Sequence, residues 1–113
     1  MKWNSLRSID QIEQIKIESR HAPVIIFKHS TRCNISRASL DRLERNWQDG
    51  ETPGVKLYFL DLLSYRQISD KIADEFGVYH ESPQVMIIRN EKATYDRSHF
   101  DIDYHQIIKE IRS

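Results

Sequence analysis

Hydrophobic residues recur along the 113-residue chain at two alternating periods. In SIDQIEQIKIES, Ile9, Ile12 and Ile15 fall on one helical face, and Ser8 followed by Gln11 is a capping-box arrangement. The spacing predicts an N-terminal helix. Pro23 stops its continuation, and VIIFKH (Val24 to His29) is a short run rich in β-branched residues that reads as a central strand. From Asn34 to Gln48 the period lengthens again. Ala38 or Leu40, Leu43 and Trp47 recur at helical spacing among Arg37, Asp41, Arg42, Glu44 and Arg45.

DGETPG is a turn cluster, and VKLYFLDL is a second strand. Ser64 is placed to cap a helix whose apolar face is Tyr65, Ile68, Ile72 and Phe76, with Gly77 ending it. QVMIIRN and KATYDRS then read as a hairpin around Asn90-Glu91. DIDYHQIIKEIRS is the last helix, with Asp101 or Asp103 near its start and Tyr104, Ile107, Ile108 and Ile111 on one face.

The order is therefore α-β-α-β-α-β-β-α. Strands separated by helices pair in parallel through right-handed crossovers, and the terminal hairpin adds an antiparallel strand. The expected class is α/β, with a mixed four-stranded sheet flanked by helices on both faces and an N-terminal helix. No repeat, linker or low-complexity segment divides the chain, so residues 1–113 are expected to form one domain.

Composition adds exclusions. Lysine plus arginine equals aspartate plus glutamate at 17 each, so the basic excess usual for a nucleic-acid partner is missing. No apolar run approaches the ~20 residues of a membrane span, and the N-terminal residues lack the apolar region of a signal peptide. Cys33 is the single cysteine and has no partner within the chain. Together these point to a reducing, cytoplasmic setting with neither nucleic acid nor membrane as partner. No spaced His/Cys pair of the zinc type is present, so no metal site is expected.

The candidate chemistry is Cys33. A helix beginning just after it would set the thiol among unpaired backbone N–H groups and the positive end of the helix dipole, which favour a thiolate. Arg32, with Lys28 and His29 nearby in sequence, adds positive charge. Two readings stay open from these residues alone: an inert, buried thiol or a reactive one. Thr31, Arg32, Asn34 and Ser36 are polar flanks, unlike a core segment. The second signal is Pro83 in YHESPQVMII. It is either a loop proline at the first residue of a strand or a cis-proline in a tight turn.

A cysteine at the exit of the first central strand and a proline opening the third resemble the thioredoxin superfamily across essentially the whole chain. Cys33-Asn34-Ile35-Ser36 looks like a monothiol C-x-x-S version of its C-x-x-C motif. FKHSTRCNIS, SPQVMII and SHFDI together resemble the monothiol bacilliredoxin, or YtxJ-like, family. That resemblance implies a thioredoxin-like fold and a thiol-disulfide oxidoreductase. Its implied partners are S-thiolated proteins, and its low-molecular-weight thiol co-substrate is bacillithiol, with no tightly bound cofactor. Asn34 stands where the family commonly has proline, supplying a backbone donor instead. YDRSHFD lacks the glycine-rich segment with which glutaredoxins hold glutathione.

On this resemblance Cys33 is the catalytic nucleophile. Arg32, Asn34, Ser36, Ser82, Pro83 and His99 are candidate substrate-binding residues. Ser36 either hydrogen-bonds sulfur or is a solvated first-turn serine. Ser82 and Pro83 would present backbone groups to an extended ligand. Arg32 either binds a ligand carboxylate or is a surface arginine; His99 either contacts ligand or fills a position before the last helix. Two non-turnover readings stand beside the enzyme: an iron–sulfur carrier sharing one cysteine from each of two chains, and a protein-binding adaptor.

Overall fold

The computed structural model describes residues 1–113. Its regular elements are β1 (Asn4–Ser5), α1 (Asp10–Ser19), β2 (Val24–His29), α2 (Asn34–Asn46), β3 (Lys56–Asp61), α3 (Arg66–Phe76), β4 (Gln84–Arg89), β5 (Lys92–Ser98) and α4 (Tyr104–Arg112). Short 3-10 turns occupy Asp49–Glu51 and His99–Asp101.

The sheet has five strands rather than the expected four, in the order β1-β3-β2-β4-β5. The extra strand, β1, precedes α1, so the chain opens on a strand. It pairs parallel with β3 through Asn4↔Tyr58 and Ser5↔Phe59. Two residues carry no periodicity, and this strand exists only because the β3 edge is there to pair with. Trp3, just before it, packs on Phe27 and Phe59 with ring centroids 6.0 and 5.9 Å apart.

β2 runs parallel to β3 and antiparallel to β4, and every one of its residues is buried. This central position explains its continuous run of β-formers. Alternation divides the core in two. Ile25, Phe27, Leu57, Val85 and Ile87 face Leu43 and Trp47 at α2 and Tyr104, Ile107 and Ile108 of α4. Val24, Ile26, Tyr58, Leu60, Met86 and Ile88 face Ile12 and Ile15 of α1 and Ile68 and Ile72 of α3.

Local signals hold with some displacements. Gln11 Oε1 accepts from the backbone N–H groups of Arg7 (2.7 Å) and Ser8 (3.0 Å), the glutamine half of the capping box. The hairpin turns at Asn90 (φ 50°) and Glu91 (φ 68°), and Ser19 on α1 holds it through its carbonyl and hydroxyl. Gly77 ends α3 with φ 66°. Ser64 does not cap α3: its hydroxyl donates to Asp61 Oδ2 (3.0 Å), and Tyr65 holds the cap position. The helix α2 turns Ser36, Ser39 and Leu43 inward, whereas Ala38 is exposed. No helix is long and apolar enough to cross a membrane.

Candidate active site

The end of β2 is linked to α2 by the turn Ser30–Thr31–Arg32, closed by the Cys33 N–H donating to Ser30 O at 3.2 Å. Cys33 is the N-cap of α2, extended at φ −103°, ψ 118°, and its carbonyl accepts the Arg37 N–H at 3.0 Å. No side chain caps the first-turn N–H groups of this helix. The thiol therefore stands where those donors open toward solvent, and Cys33 is half-buried and unpaired.

The Ser82–Pro83 peptide bond is cis. Register puts Pro83 at the same end of the sheet, because Lys28 pairs with Gln84, the next residue. Two hydrogen bonds to backbone carbonyls then tie the corner together. Pro83 O accepts the His99 N–H at 3.0 Å, and His99 O accepts from Ser39 Oγ of α2 at 3.3 Å. His99 itself has φ 55°, in the left-handed region, and its Nε2 lies 3.5 Å from Glu81 Oε2. Ser82 Oγ is buried without a hydrogen-bond partner.

The structure thus gathers Cys33, Ser82, Pro83 and His99 around one end of the sheet. Arg32 and Asn34 are exposed beside the thiol, and Arg32 makes no ion pair. Asn34 joins His29, Arg37 and Glu44 in lining an open groove along α2. Ser36 is neither solvated nor bonded to sulfur. It is fully buried, its hydroxyl 2.7 Å from His29 Nδ1, and it accepts the Ser30 N–H at 3.0 Å. Oγ has turned inward and braces the loop that carries Cys33.

The expectation that His29 adds positive charge beside the thiol does not hold, because the ring is buried and bonded to Ser36. Burial lowers its pKa below the ordinary 6.5, with Asp61 opposing and Arg37 adding to the shift, so the ring is neutral at neutral pH. Strand alternation puts Ile25, Phe27 and His29 on one face, opposite to Lys28, and what the sequence leaves unseen is that this face meets the inward Ser36 of α2. Lys28 points the other way. It is fully buried, donates to Ser69 O at 3.3 Å, and burial lowers its pKa to about 8, against the attraction of Asp70. Gln84, its register partner, leaves Oε1 without a bond.

Comparison with known proteins places this geometry. The family model for the monothiol bacilliredoxin BrxC matches residues 4–107. A solved thioredoxin-fold protein, named as a proposed oxidoreductase, is 30% identical with a TM-score of 0.79, covering 96% of this chain and 92% of its own. The thioredoxin of Malassezia sympodialis is 18% identical (TM-score 0.71, 99% and 92% covered). The short form of thioredoxin f from spinach chloroplast is 17% identical (TM-score 0.71, 98% and 91% covered). These matches show the thioredoxin fold.

Proposed function

The chain belongs to the monothiol bacilliredoxin family, and from that membership we propose that Cys33 removes bacillithiol from mixed disulfides on proteins. A thiol redox role follows from the family; the substrate and the one-thiol route are the proposal. The observation that supports it most is the pair of facts at α2: Cys33 sits uncapped at the helix start, and the position three residues on holds Ser36, bonded away into the core.

The exchange is a single displacement. The Cys33 thiolate attacks the small-thiol sulfur of protein–S–S–R. The S–S bond of the mixed disulfide breaks, the protein leaves as thiolate and takes a proton from water, and Cys33–S–S–R forms. With one cysteine in the chain, no internal thiol resolves this adduct. A second molecule of the small thiol attacks it, giving R–S–S–R and returning the Cys33 thiol. Electrons therefore come from the small-thiol pool. The Ser82–Pro83 edge offers backbone groups to the bound disulfide, and Arg32 and the Asn34 N–H lie on the thiol side. The setting proposed is the cytoplasm, where low-molecular-weight thiols keep cysteines reduced.

The test is the intact mass of the protein after exposure to bacillithiol disulfide or to glutathione disulfide. One bacillithiol on Cys33, with markedly less glutathione at equal exposure, is the expected result. Equal labelling by both removes bacillithiol as the preferred thiol.

A further inference from the structure

The buried hydroxyl of Ser36 has two partners, His29 Nδ1 at 2.7 Å and the Ser30 N–H at 3.0 Å, and no third. A backbone N–H can only donate, so the oxygen accepts from Ser30 and its single proton is left for the ring. His29 Nδ1 is therefore the acceptor, and the proton of the neutral imidazole sits on Nε2. His29 reaches the floor of the groove along α2, which Arg37, Asp41 and Glu44 also line. Asp61, its register partner on β3, bears on the same ring. Beyond Ser36 the bonds continue: Ser30 O accepts the Cys33 N–H at 3.2 Å, closing the turn at whose end the thiol stands. Imidazole, hydroxyl, turn and N-cap thus form one chain of bonds from a buried ring to the reactive residue.

We propose that His29 is a positioning residue for Cys33: its bare Nδ1 takes the Ser36 proton, Ser36 Oγ anchors the Ser30 N–H, and the turn so fixed presents the thiol at the start of α2. The role rests on Cys33 being the nucleophile of the exchange. Protonating the ring puts a second proton between Nδ1 and Oγ. The hydroxyl then accepts from both the ring and Ser30, and its own proton points at no acceptor inside a fully buried layer, which is costly for a polar group. Burial holds the ring neutral and Arg37 adds to that, against the pull of Asp61 and Glu44. Without its anchor the turn is released, and the sulfur leaves the helix-start N–H groups that favour its thiolate. The reactivity of Cys33 then depends on two protons, the one the thiol must lose and the one His29 must not gain.

Nitrogen NMR of the labelled full chain at pH 8 reads the ring directly. Nδ1 is expected to be bare and Nε2 protonated; a proton on Nδ1 overturns the assignment. The rate of Cys33 alkylation by iodoacetamide is then followed against pH in the wild type, His29→Asn and His29→Phe. Asparagine sets an amide oxygen near the Nδ1 position and does not titrate, so at pH 8 it should react within about twofold of the wild type. Phenylalanine offers no acceptor, and its rate should fall about fivefold, the equivalent of one hydrogen bond. Below the pKa values of both ring and thiol, the logarithm of the wild-type rate should fall with a slope approaching about two per pH unit, against about one in His29→Asn. Equal slopes across the range in which the NMR signals show the ring titrating, or an unchanged rate in a folded His29→Phe at pH 8, overturn the role and leave the exchange reaction standing. If His29→Phe does not fold, the asparagine comparison decides. Wild-type Cys33 reacting no faster at pH 7 than free cysteine overturns the redox reading and the positioning role with it.

Discussion

His29 Nδ1 and Ser36 Oγ lie 2.7 Å apart in the buried layer beneath the turn that carries Cys33. The same hydroxyl accepts the Ser30 N–H, so one oxygen connects the end of β2, the turn and the third residue of α2. A position that in a dithiol redoxin would hold the second cysteine has become a structural brace.

Removing the brace leaves two buried polar groups unmatched. Ser36→Ala is expected to destabilise the fold by roughly 1–3 kcal/mol, the desolvation cost of orphaned donors and acceptors. His29→Phe should cost a similar amount, and the double variant should cost less than the sum. Urea unfolding of the four proteins gives the coupling directly; additive losses would mean that the bond contributes nothing.

The buried imidazole also sets a pH response. Its pKa is lowered in the folded chain, so between that value and the unfolded 6.5 the unfolded state binds more protons. Stability present above pH 6.5 is therefore lost as pH falls through this range. His29→Gln should lose less stability than the wild type between pH 7 and pH 5. Parallel curves for the two proteins would contradict the assignment.

Lys28 behaves in the same direction at higher pH. With a folded pKa of about 8 against 10.5, the buried ammonium carries its full penalty below pH 8 and is relieved by pH 10.5. Lys28→Met is expected to be more stable than the wild type at pH 7, by up to ~3 kcal/mol less the hydrogen bond to Ser69. The advantage should shrink steadily above pH 8, which unfolding at pH 7 and pH 10 would show. A variant less stable at both values would mean that the amine is well paired.

Gly77 offers a backbone test free of packing effects. Its φ is 66° and a Cβ there would meet no atom within 4 Å. Gly77→Ala should cost about 1 kcal/mol from the left-handed conformation alone, read from the urea midpoint.

Much of this architecture was legible in the residues. The strand-helix order, the Asn90-Glu91 turn, the αL glycine and the proline before β4 all depend on local chemistry that a sequence displays. What escaped notice depends on pairing across space. β1 is two residues long and is a strand only against β3. Ser64 suits a cap by residue type, but its hydroxyl donates a hydrogen bond to Asp61 at the end of β3 instead. Neither reading of Ser36, bonded to sulfur or solvated, anticipates its burial, which becomes visible only when His29, seven residues earlier, is placed beneath it. Glu81 and His99 lie 18 positions apart and meet because β4 and β5 pair with Gln84 opposite Ser98, a pairing that the bond from His99 N–H to Pro83 O extends.

The central claim is that Cys33 alone takes bacillithiol from a modified protein. Its most direct measurement follows a bacillithiolated target protein with purified wild-type chain and with Cys33→Ser, recording the masses of both partners over time. The account predicts that the wild type frees the target thiol while gaining one bacillithiol, and that Cys33→Ser does neither. Release of the target thiol by Cys33→Ser at the wild-type rate would contradict it.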